Sequence, residues 1–175
     1  MEIIPEEVIE IYHNFYLAES TEQFKEDSQF YKDNQRPLGD YIYKHTEPLS
    51  AISKEGTTFR LLWTVMRSYK YYSLTIPTIT IQKVNYIDSI WKQRMRSHRD
   101  ASREDLMTYI KTEIKQTFMV EFIFKLLNDE VELPNYDSNY FVIEDKEFLI
   151  RSYVIFFTLI DLMDEAIEKV LEIKE

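Results

Sequence analysis

The sequence predicts an all-α bundle of six or seven helices forming a single domain over residues 1–175, and three observations lead there. Glycine occurs only twice in 175 residues, at Gly39 and Gly56, against about 7% in average usage. So little glycine leaves few tight hairpins and no glycine-rich phosphate cradle. Apolar residues recur at steps of three and four along most of the chain, the period of an amphipathic helix. Ser20 with Gln23 and Ser102 with Asp105 match the capping pattern that opens helices.

The elements follow in order. Pro5 suits a first helical turn, and Glu6 and Glu7 sit where the helix dipole is positive. Val8, Ile11, Tyr12, Phe15 and Tyr16 then give an apolar face over 5–18. A second, polar helix is expected over 21–33. Residues 34–57 hold both glycines and two of the five prolines, Pro37 and Pro48. They are read as a loop at 34–38 and short helices at 39–46 and 48–54. From Thr57 or Thr58 a helix should run to Leu74 through Phe59, Leu62, Trp63 and Met66.

TIPTIT at 75–80 is β-branched around Pro77, and proline favours a break over a central strand. A minor strand at 75–81 or 140–143 is the alternative. Val84, Ile87, Trp91 and Met95 mark one face of a helix at 80–98. The two longest helices are expected at about 102–128 and 145–173. The first of these is apolar over most of its later circumference, as a central helix would be. A loop around Pro134 separates the two.

Composition narrows the function classes. The chain has no cysteine, so it has no disulfide, thiolate metal site or catalytic thiol. Its opening, MEIIPEEVIEIYH, is acidic and unlike a secretory signal. The most apolar run, 148–163, is broken by Arg151 and Asp161 and falls short of the roughly 18 apolar residues of a membrane span. A cytoplasmic protein with no membrane segment is expected. No Walker loop, G-x-S-x-G, H-E-x-x-H or calcium loop occurs. No cofactor, metal site or catalytic residue is assigned. Glu10 with His13 forms a single Glu-x-x-His, a motif that di-metal carboxylate bundles use twice together with a glutamate from each of two further helices. His98 lies between cationic neighbours, which suits anion contact better than proton transfer.

The net charge of −10 is unevenly placed. Residues 1–60 carry 12 acidic and 6 basic side chains, residues 61–103 carry 2 and 8, and residues 104–175 carry 17 and 7. A basic middle therefore lies between acidic flanks. Lys92, Arg96, Arg99 and Arg103 are spaced 4, 3 and 4. They would fall within about 60° of one another if the helix persisted that far. With Arg94 they are the candidate contacts for an anion or nucleic acid. Asp161, Glu165, Glu168 and Glu172 repeat the spacing on the last helix, with Asp164 alongside. These five, with Tyr41, Tyr43 and His45 of the 34–57 segment, are the candidate partner contacts. The 13 tyrosines add modest weight, since tyrosine is enriched at interfaces.

The function expected is that of a non-enzymatic acidic helical binding protein that regulates or inhibits a macromolecular partner. The partner is another protein. In one version it is a nucleic-acid-handling enzyme whose basic surface the acidic flanks occupy. A nucleic-acid or anionic-ligand binder acting through residues 92–103 is the alternative, and an unrecognised enzyme is the second. The two stripes could also pair within the chain or across a homodimer.

Overall fold

A computed structural model describes residues 1–18, 22, 29, 33–50, 57–72, 75–127 and 146–173. Its described elements are seven α-helices and one 3₁₀ turn, with no strand among the described residues. The helices are α1 (Glu6–Ala18), α2 (Arg36–Ser50), α3 (Thr57–Ser68), α4 (Ile81–Ser97), α5 (Arg103–Glu113), α6 (Thr117–Leu127) and α7 (Lys146–Glu172). The expected all-α bundle is the fold found.

Several boundaries follow directly from the sequence. The Pro5 carbonyl accepts the amides of Val8 and Ile9 at 3.1 and 3.3 Å, so α1 begins just after the proline. Thr80 caps α4 by accepting the Lys83 amide, and Ser102 caps α5 by accepting the Asp105 amide at 3.1 Å. The Ser102 hydroxyl also donates to the Asp105 carboxylate at 2.7 Å. Such caps stabilise a helix by about 1 kcal/mol.

Other expectations need correction. The helix placed at 102–128 is two helices, because Ile114 takes an extended conformation (φ −113°, ψ 127°) that ends α5. The intervening elbow buries Gln116, whose carbonyl accepts the Val120 amide at the start of α6. Most of the loop at 34–38, the short helix at 39–46 and the start of the one at 48–54 are replaced by one helix, α2, while residues 51–54 lie outside the described residues. Pro37 falls in its first turn, where a missing N–H costs nothing. Gly39 is simply helical, with open space where a Cβ would lie. The helix from Thr57 ends at Ser68, not Leu74, and tightens into the 3₁₀ turn Tyr69–Tyr72. The Ser68 hydroxyl donates back to the Thr64 carbonyl at 2.7 Å there, a bond that competes with regular helix.

No strand forms at 75–80. The side chain of Gln35 satisfies that extended segment. Its amide donates to the carbonyls of Ile76 and Pro77 at 3.0 and 2.9 Å, and its oxygen accepts the Ile79 amide at 3.0 Å. The break is thereby pinned to the start of α2. The expected strand at 140–143, the loop at Pro134, most of the helix at 21–33 and Gly56 lie outside the described residues.

Buried side chains form one cluster around α7, on which every residue from Ser152 to Ile160 is buried. The helix read as central in the sequence, now α6, is one of its neighbours. Phe124 of α6 stacks on Tyr153 of α7 with centroids 4.6 Å apart, and Trp91 of α4 lies 5.1 Å from Phe157. The most extensive helix pair is α4 with α7. Each large apolar side chain buried there stabilises the fold by about 1.5–3 kcal/mol.

Candidate functional site

The chemistry of the molecule concentrates on two carboxylates one turn apart on α7. Asp161 accepts the indole N–H of Trp91 at 2.7 Å. Asp164 is only 7% exposed. It accepts the Tyr69 hydroxyl at 2.7 Å and the Gln116 amide at 3.3 Å. Burial pushes the carboxyl of Asp161 up to about 6 and that of Asp164 up to about 7, against the pull of those donors. Burial also raises Tyr69 well above its usual range and Tyr72 to about 12.

Gln116 is the hub of this site and is fully buried. Its amide nitrogen serves Asp164 and the Tyr72 hydroxyl, the latter at 2.7 Å. Its oxygen accepts the backbone amide of Ile4 at 2.8 Å. The Tyr72 hydroxyl in turn donates to the Glu2 carbonyl at 2.5 Å. One side chain therefore ties together residues 2–4, the 3₁₀ turn, the α5–α6 elbow and α7. All its donors and acceptors are used, as a buried amide requires. A carboxyl held near neutrality can take or give a proton at physiological pH.

Sequence reasoning placed Asp161 and Asp164 on a surface stripe and missed Trp91, Tyr69 and Gln116 as their partners. Asp164 belongs to the interior. The remaining acidic candidates lie on the outside. Glu165 pairs with Lys83 at 2.5 Å, Glu168 contacts Lys115, and Glu172 is exposed without an ion pair among the described residues. Glu168 raises the affinity of Lys115 for its proton.

The basic candidates do not form one stripe. Helix α4 stops at Ser97 with His98 as its cap, so Arg99 lies in a turn and Arg103 opens α5. Lys92 pairs with Asp88 at 2.6 Å. Arg94 pairs with Glu113 at 2.5 Å and lies over the Trp91 ring at 4.7 Å. Arg99 contacts Glu147. Arg96 is exposed, with no ion pair among the described residues. His98 stacks on Tyr109 with centroids 3.8 Å apart, its Nδ1 lying 2.9 Å from the Arg94 carbonyl oxygen.

The candidates on α2 divide by face. Tyr41 is buried and donates to Asp88 at 2.9 Å, and burial holds its phenol protonated well beyond the usual range. His45 packs on the Tyr41 ring at 4.6 Å, and its partial burial lowers its proton affinity. Tyr43 points outward, 66% exposed. Glu10 and His13 part company: Glu10 is exposed, whereas His13 is buried with its Nδ1 3.4 Å from the Thr64 hydroxyl. Among the described residues, no group of three or more histidines, aspartates and glutamates is arranged to hold a metal ion. No described helix is long and apolar enough to cross a membrane.

The chain matches no family model, no curated protein and no solved structure.

Proposed function

We propose that this is an acidic helical protein that regulates or inhibits a macromolecular partner by binding a basic surface on it. One observation carries the reading. Four of the eight cations of the basic middle are paired within the molecule: Lys83 with Glu165, Arg94 with Glu113, Arg99 with Glu147 and Lys92 with Asp88. The charge excess of −10 is then carried by outward carboxylates such as Glu7, Glu10 and Glu172, which are exposed and make no ion pair among the described residues. A surface of one sign speeds encounter with a partner of the other sign. The partner is a protein, in one version a nucleic-acid-handling enzyme whose substrate this chain displaces. A chain without cysteine suits the reducing cytoplasm.

The test is affinity capture from the native host, followed by binding measurements on the purified partner at low and high salt. Affinity should fall at least tenfold as salt rises from 50 to 500 mM, given how strongly such concentrations screen exposed charges. An affinity independent of salt refutes the proposal.

A further inference from the structure

We propose that the outward face of α4 is the contact surface of a homodimer, in which two copies of the chain pack α4 antiparallel against α4 about a two-fold axis at Ser89. The inference is independent of the binding reading above and rests on the charge and the spacing of that face.

Helix α4 packs on α7 through Trp91, whose ring lies 5.1 Å from Phe157, and on α2 through Asp88, which accepts the Tyr41 hydroxyl at 2.9 Å. At 100° per residue, Gln82, Asn85, Ser89, Gln93 and Arg96 fall within about 80° of one another, nearly opposite Trp91. All five are exposed. Tyr86 flanks the row with 59% of its surface exposed.

The charge of this face differs from that of the other helices. The chain carries −10, and exposed carboxylates stand on α1 at Glu7 and Glu10, on α2 at Asp40, on α5 at Glu104 and on α7 at Glu172. The one carboxylate of α4, Asp88, is buried and engaged by Tyr41 and Lys92. Two copies of the same net charge repel at long range, so they meet best where neither presents a carboxylate. The centre of a protein interface is likewise poor in Asp and Glu and enriched in Tyr and Arg.

The spacing makes the face fit itself. From Gln82 to Arg96 the five residues stand 3, 4, 4 and 3 apart, a pattern symmetric about Ser89. A two-fold axis through Ser89, perpendicular to the helix, lays that row on its own copy with the ends exchanged, as an isologous contact requires. A foreign partner needs no such symmetry. Gln82 then opposes Arg96 of the partner subunit, whose guanidinium donates to the amide oxygen. Tyr86 lies against Gln93 of the partner subunit. Amides and hydroxyls both donate and accept, so they pair with their own kind. Serine at the crossing point is small enough for the helix axes to approach to about 8–10 Å. The row spans about 21 Å of helix, a small contact that fits a reversible dimer with a Kd in the micromolar range.

Sedimentation equilibrium of the full chain at about 100 μM, where a complex of micromolar Kd is mostly assembled, should give twice the monomer mass. Salt screens the mutual repulsion, so the dimer should tighten between 50 and 500 mM, opposite to the trend expected for the macromolecular partner. Ser89→Glu places two like charges on the axis and should weaken the dimer at least tenfold. Asn14→Glu makes the same change on the exposed face of α1 and should leave the dimer intact. Both positions are exposed, and circular dichroism checks that each variant folds. Because the chain has no cysteine, Ser89→Cys can form a disulfide only with a second copy, and on the axis the two sulfurs come within reach. It should cross-link under air oxidation much faster than Asn14→Cys. Three results overturn the proposal: a monomer at both salt concentrations, a dimer that survives Ser89→Glu, or equal cross-linking of the two cysteine variants.

Discussion

The backbone amide of Ile4 donates to the side-chain oxygen of Gln116 at 2.8 Å inside the core, joining residues 112 apart in sequence. Through that bond a short segment before the first helix is coupled to the break between α5 and α6. Gln116→Leu keeps the volume and removes every partner. It leaves the Ile4 amide buried and unbonded, at a cost of about 1–3 kcal/mol for that group alone. Thermal denaturation should show a midpoint lower by about 2–12 °C, at about 2–4 °C per kcal/mol for a chain of this size. A loss under 1 °C would mean that the hub contributes nothing.

Stability should rise as pH falls from 8 to 5. Burial raises Asp161 to about 6 and Asp164 to about 7 in the folded chain, while the unfolded chain ionises both near 3.9. Between those values the native state binds more protons than the unfolded state. The stabilisation is complete below the unfolded value and is lost as pH climbs through about 6 and then about 7. Linkage gives an effect on the order of 2–4 kcal/mol across that range. Urea denaturation at pH 5, 6.5 and 8 measures it, and Asp164→Asn should remove the larger share.

Surface pairs should behave differently. Lys83 and Glu165 meet at 2.5 Å but are both about a third exposed. Such pairs contribute roughly 0–1 kcal/mol. Lys83→Ala and Glu165→Ala should each cost less than about 1 kcal/mol in the same assay, well below Gln116→Leu.

Nucleic acid should bind weakly or not at all, since four of the eight cations of the basic middle are already paired with carboxylates and the net charge is −10. A mobility shift with short DNA and RNA at low salt should show no complex. A shift abolished by Arg96→Glu with Arg99→Glu would move the function to the 92–103 region.

Much of the fold was legible because caps and periodicity act locally. Thr80 and Ser102 cap the helices that the sequence predicts at those points. The misread breaks have distant causes. Nothing near Lys115–Gln116–Thr117 announces that Gln116 will meet Ile4, Tyr72 and Asp164, and that meeting is what rewards interrupting the helix. Gln35 likewise organises the 75–80 segment from 41–44 residues away. The acidic candidates show the same limit. Spacing placed Asp161, Asp164 and Glu165 on adjoining faces of one helix. Only the packing of the 3₁₀ turn and elbow against α7 turned Asp164 inward and left Glu165 at the surface.

The proposed function is tested most directly by the association rate with the captured partner. The comparison is between the wild type and a variant carrying Glu7→Lys, Glu10→Lys and Glu172→Lys, all at exposed positions. Electrostatic steering predicts an association rate at least about tenfold slower for the variant at low salt, with the difference shrinking as salt rises. Equal association rates for the two proteins at low salt would contradict it.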